Sequence, residues 1–167
     1  MTTRRFAAVC LGTLLAVLMF APGALAKKKK LPMLELPKDA KVSELVDVFG
    51  GEGQLQIHMV RVLPKDSELY IILVEGTDDD IAGHPLLHKH RTESRDEIYQ
   101  TITKGDEHWT LQMVSSYGSP AWRAILLDNY KPISVAKLSK PGKYKGADLL
   151  EMYKKQLADG TIKKISE

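Results

Sequence analysis

Six consecutive apolar residues, Leu69-Tyr70-Ile71-Ile72-Leu73-Val74, constrain this chain more than any other feature. A run this short, rich in β-branched and aromatic residues, reads as a strand. Pro64-Lys65-Asp66-Ser67 makes a turn before it and Gly76 follows it. Side chains alternate between the two faces of a strand, so an unbroken run demands apolar cover on both. The reading therefore makes this the central strand of a covered sheet.

The segments around it supply partners. Gln54 to Val62 alternates Leu55, Ile57 and Met59 with Gln54, Gln56 and His58, the pattern of a half-buried strand with His58 on its polar face. Glu97 to Val114 reads as a hairpin turning at Gly105-Asp106. Pairing Lys104 with Glu107 there sets Ile102 opposite Trp109, Gln100 opposite Leu111 and Ile98 opposite Met113. Ala121 to Leu127 and Ile133 to Leu138 read as two more strands, the first with a short helix as its alternative.

Two helices complete the pattern. Ala40 to Phe49 carries Val42, Leu45, Val46 and Phe49 at i, i+3, i+4 and i+7, with Asp39 as N-cap and Gly50-Gly51 as the stop. Ala147 to Ala158 presents Leu149, Leu150, Tyr153 and Leu157 as one stripe and stops at Gly160. The sum is an α+β domain over residues 39–167. Its antiparallel sheet has about five to six strands, flanked by a short N-terminal helix and a C-terminal helix.

The N-terminus reads as an address. Arg4 and Arg5 precede an apolar stretch from Phe6 to Phe20, and Ala24-Leu25-Ala26 is a small-x-small cleavage pattern, so residues 1–26 form a cleavable secretory signal. A retained anchor is the competing reading, against which Pro22 and Gly23 count as helix breakers. Lys27 to Lys30, Pro32 and Pro37 give residues 27–38 the composition of a basic, flexible leader. A periplasmic or secreted location follows, with no membrane span after cleavage. Thr3-Arg4-Arg5 is a partial twin-arginine start.

Composition excludes some functions. The one cysteine, Cys10, falls inside the signal, so the exported part has neither disulfide nor thiolate chemistry. Removing Arg4 and Arg5 from 24 Lys and Arg leaves 22 against 21 Asp and Glu, a net charge of +1. That is too small for a general nucleic-acid binder. Charge is uneven along the chain: residues 66–107 hold 11 acidic and 4 basic side chains, whereas 131–167 hold 4 and 9. Phosphate-loop, dinucleotide and nucleophile-elbow motifs are all missing, and Ser115, Ser116 and Ser119 have no triad context.

The sharpest chemical signal lies in the stretch from Gly76 to Asp96, which reads as a long polar loop. It holds Asp78-Asp79-Asp80 and then His84, His88 and His90. Imidazoles with carboxylates nearby are the ligands of Zn, Cu(II) or Ni. On an extended segment His88 and His90 point the same way, and on a helix His84 and His88 share a face. The competing reading is a polar loop rich in histidine, with Lys89 and Arg91 opposing a cation. Tyr99, Trp109, Tyr117, Trp122 and Tyr130 surround the hairpin and the following loop; Trp109 reads as core, and Tyr117 and Tyr130 as the ones free to meet a ligand.

These features describe an exported binding domain of the bacterial envelope, with a divalent metal at His84, His88 and His90. Two other classes stay open. One is an interaction protein that meets another envelope protein, and the other a small hydrolase whose site the sequence does not disclose.

Overall fold

The run at 69–74 does lie in a strand covered on both faces, but the sheet around it has no edge and hence no centre. A computed structural model describes residues 29–116, 119–128 and 130–167. Its strands are β1 (Lys41–Gly50), β2 (Gln56–Leu63), β3 (Leu69–Glu75), β4 (Leu86–Glu93), β5 (Asp96–Thr103), β6 (Asp106–Ser116), β7 (Ser119–Ala124) and β8 (Ile133–Lys137). Helices α1 (Gly146–Ala158) and α2 (Thr161–Ser166) follow. Each strand pairs antiparallel with the next, and β8 returns to β1 through Phe49 opposite Lys137 and Gly50 opposite Ala136. The result is a closed eight-stranded up-and-down barrel, with β8 and β1 joined over two residue pairs.

This corrects the expected open α+β sheet of five to six strands with an N-terminal helix. The segment taken for that helix is β1. Val42 pairs with Val62 and Val46 with Val60, so Ser43, Glu44 and Leu45 together stand against Arg61 alone. The bulge inserts two residues, so Val42, Val46 and Val48 stay on one face of the strand and Phe49 on the other. Leu45 within the bulge and Phe49 on the inner face complete the apparent helical spacing. Leu45, a member of the supposed stripe, is 82 % exposed.

The segment taken for a long polar loop contains β4. Its alternation was invisible because both faces carry polar residues: His88 and His90 on one, Lys89 and Arg91 on the other. The β5–β6 hairpin is real, but its turn is centred on Lys104-Gly105, both at positive φ (52° and 79°). That is the type I′ geometry a two-residue hairpin favours, with a lysine where asparagine is usual. The register therefore runs Thr103–Asp106, Ile102–Glu107, Thr101–His108 and Gln100–Trp109, and then steps at a bulge to Tyr99–Leu111. Thr110 is the extra residue.

Which side chains face inward follows from contacts that skip a strand. Phe49 on β1 meets Trp122 on β7 at 4.7 Å between ring centroids, and Tyr70 on β3 meets Tyr99 on β5 at 5.0 Å. Such neighbours can touch only across the lumen. The register carries the assignment along each strand: Ile57, Met59 and Arg61 face inward on β2, with Tyr70, Ile72 and Val74 opposite them on β3. His58, Val60, Ile71 and Leu73 then face outward.

The outward apolar face of β1 to β3 is buried by α1 through Leu149 and Tyr153, both fully buried. Gly146 opens that helix where a Cβ would lie 1.9 Å from the Ser43 carbonyl oxygen, so the close approach needs glycine. His58 is covered as well, at 0 % exposed, by the chain before α1, where Gly142 and Tyr144 lie against its ring. The expected polar face at His58 is thus an interior one. The leader from residue 29 onward lies along the wall: the Leu31 N–H donates to the Gly105 carbonyl, and Met33, Leu34 and Leu36 pack against the core. Among the described residues no helix is long and apolar enough to cross a membrane. The segment expected to be a secretory signal, 1–26, lies outside the described residues.

Candidate functional site

The two ends of the barrel differ. The end at which β1–β2, β3–β4, β5–β6 and β7–β8 connect is closed by apolar residues: Leu55, Ile81, Leu126 and Leu127 are all buried. Asp79 ties that floor together, its carboxylate accepting the Ile81 N–H at 3.1 Å and the Asp128 N–H at 2.9 Å. Two of the three acidic residues thus have structural partners, since Asp80 in turn pairs with Lys104 at 3.1 Å. Above the floor the lumen is filled by Ile57, Ile72, Leu86 and Leu111.

At the opposite end the lining changes to aromatic and charged groups. Phe49, Trp122, Tyr99, Tyr70 and His90 form one continuous chain of ring contacts, Tyr99 lying 6.2 Å from Trp122, 5.0 Å from Tyr70 and 5.0 Å from His90. Arg61 places its guanidinium carbon 5.2 Å from the Tyr70 ring centroid, within cation–π range. Phe49, Tyr70 and Tyr99 are buried, whereas Arg61, His90 and Trp122 keep partial exposure and form the rim.

The polar atoms of this rim are unequally satisfied. Asp47 is held by Lys137 at 2.8 Å, and Glu97 accepts the Tyr99 hydroxyl at 3.3 Å. Arg61 Nε and His90 Nε2 are buried and have no hydrogen-bond partner. Burial first, and the nearby Glu97 carboxylate second, push the Tyr99 phenol well above its ordinary range; burial raises Tyr70 too, against the pull of Arg61. Both stay neutral O–H groups at any physiological pH.

The three histidines expected to share a metal are placed apart. His84 leaves the barrel wall, its Nδ1 donating to Gln156 Oε1 on α1 at 2.9 Å. His88 sits inside the lumen with both nitrogens used: Nδ1–H donates to the Leu86 carbonyl at 2.9 Å and Nε2 accepts the Thr110 hydroxyl at 2.7 Å. His90 faces the same way as His88, as expected for an extended segment, but meets Tyr99 and Tyr70 instead of a carboxylate. Among the described residues no three His, Cys, Asp or Glu side chains are positioned to hold a metal ion.

Three imidazoles are neutral for the same reason. Burial brings His88 down to about 3 and lowers His108 and His58, the last against the opposing charge of Glu75. His58 Nε2 lies 3.2 Å from Glu75 Oε2, and the other carboxylate oxygen accepts the Tyr144 hydroxyl at 2.7 Å. This cluster clamps the segment before α1 to the barrel wall.

Of the aromatics singled out from sequence, Trp109 lies opposite Gln100, not Ile102, and stacks under Arg91 at 5.3 Å. Tyr130 is 74 % exposed beside His108, and Tyr117 lies outside the described residues. The residue sequence reasoning missed is Arg61. Its signal was present: a single cation set between Val60 and Val62.

A separate surface cleft of about 540 Å³ lies outside the wall, between the β1 bulge and Leu138–Lys145. Its cations are partly spent, Lys143 on Glu75 at 3.5 Å. Chemistry favours the rim. Compared with protein families, curated proteins and solved structures, the chain matches none.

Proposed function

We propose that this is an exported binding domain which takes a small planar, largely apolar molecule at the aromatic end of its barrel. Eight strands enclose an interior just wide enough to be filled by side chains or to hold one small ligand. Here the two uses divide along the axis, aliphatic filling below and an aromatic rim above. The single observation that carries the reading is the ring chain from Phe49 through Trp122 and Tyr99 to His90, which crosses the lumen and keeps Trp122 and His90 partly exposed. Ring faces bury a large area in a ligand at small entropic cost and favour offset or edge-on partners.

Export rests on the signal-like residues 1–26 and fits a domain that needs no cysteine to fold. Calorimetric titration of the mature chain with naphthalene-2-methanol tests the binding reading. Saturable one-to-one binding that is lost in Trp122→Ala supports it; identical heats in the two proteins would refute the rim as the site.

A further inference from the structure

Resting on that reading, we infer that the ligand is an acid: a planar molecule whose carboxylate, or an equivalent anion, is received by Arg61 and His90. Both groups flank one ring. The Arg61 guanidinium carbon is 5.2 Å from the Tyr70 centroid and the His90 ring centroid is 5.9 Å from it, so the two approach the same tyrosine from β2 and β4.

What distinguishes them is the lack of a counter-charge. Arg61 makes no ion pair with a carboxylate among the described residues, although it is partly withdrawn from water. Of the two carboxylates nearest the rim, Asp47 is paired with Lys137, and Glu97 accepts the Tyr99 hydroxyl, which satisfies an oxygen and leaves its charge in place. A buried guanidinium N–H that makes no hydrogen bond forfeits the solvation it had in water, and an incoming oxyanion restores it with a charge-assisted bond. His90 Nε2 is likewise buried and unpartnered, and an N–H there adds a second donor to the same oxyanion. The guanidinium fork suits the two coplanar oxygens of a carboxylate, while the ring chain beyond it receives the planar body.

The cationic face of the site is thus Arg61, with His90 beside it; Lys137 is occupied by Asp47. A planar cation finds the opposite situation. Arg61 repels it, and Asp47 is already paired with Lys137.

The test uses three probes that share one body and differ in charge: 2-naphthoate, naphthalene-2-methanol and 2-naphthylmethylammonium. The chain has two tryptophans, so Trp109→Phe leaves Trp122 as the fluorescent reporter at the rim. Naphthoate is expected to bind at least tenfold more tightly than the alcohol, and the ammonium most weakly. In Arg61→Gln the naphthoate advantage should vanish while the affinity for the alcohol stays within about twofold, which a merely structural role for Arg61 would not produce. His90→Gln should reduce the advantage in part. Equal binding of all three probes overturns the acid while leaving the barrel reading intact; tightest binding of the ammonium overturns it outright. Binding of none overturns both.

Discussion

His88 Nε2 accepts the Thr110 hydroxyl at 2.7 Å inside the barrel, joining β4 to the bulge of β6 across the strand between them. The bond explains why Thr110 is the extra residue of that bulge. A neutral imidazole with one donor and one acceptor needs one partner of each kind, and Leu86 supplies the other.

Thr110→Val removes the donor at nearly constant volume and strands the His88 nitrogen. The expected cost is about 1 to 3 kcal/mol of unfolding free energy. Urea denaturation at pH 7.5 measures it; a change below the error of the fit would mean that the imidazole finds another donor.

Stability should also fall with acid before the carboxylates titrate. His58, His88 and His108 are held neutral by burial, so their folded values lie below the ordinary 6.5. Below pH 6.5 the unfolded chain takes up protons that the folded chain refuses, and the equilibrium shifts toward unfolding. The stabilisation is complete above pH 6.5 and is lost as pH falls, for His88 down to about 3. Each such group adds up to about 1.4 kcal/mol per pH unit to the slope. Denaturation midpoints at pH 7.5, 6.5, 5.5 and 4.5 check the sign, and a midpoint constant down to 4.5 contradicts it.

Helix α1 offers two substitutions with opposite outcomes. Gly146→Ala puts a methyl 1.9 Å from the Ser43 carbonyl oxygen, backbone that cannot swing aside, and should lower the unfolding temperature by several degrees. Tyr153 is fully buried and its hydroxyl has no partner, so burial pushes the phenol up to about 12. Tyr153→Phe therefore removes an unsatisfied group and should stabilise by about 1 kcal/mol. Calorimetric melting of the two variants beside the parent decides both, and a destabilised Tyr153→Phe would reveal a partner for that hydroxyl.

Asp79 should matter to the floor and not to the rim. Asp79→Ala leaves the Ile81 and Asp128 N–H groups without their acceptor and should cost about 1 to 3 kcal/mol. Affinity for naphthalene-2-methanol at a temperature where the variant is fully folded should be unchanged.

How far the fold was legible depended on whether local pattern and topology agreed. β3 and α1 were readable because a run covered on both faces, and a stripe of Leu149, Leu150, Tyr153 and Leu157, each have one interpretation. β1 was misread because three residues bulge opposite Arg61, and β4 because the lumen it lines at the rim is polar. Closure was not readable at all, since the two residue pairs that join β8 to β1 are separated by more than 80 positions. Of the site, His90 was singled out from sequence as a metal ligand beside His84 and His88, and Trp122 and Tyr99 only as aromatics near a sheet. Their convergence with Arg61 is a product of the barrel, which brings together rings from β1, β3, β4, β5 and β7.

A heteronuclear NMR titration of the isotope-labelled mature chain with 2-naphthoate asks where a ligand goes. Amide shifts should concentrate at Arg61–Leu63, Leu69–Tyr70, His90–Thr92, Glu97–Tyr99 and Ala121–Arg123, the strand segments that bear the aromatic rim. Shifts gathered instead along Glu44–Asp47 and Leu138–Lys145, or around the floor at Ile81 and Leu126, would contradict binding at that end of the barrel.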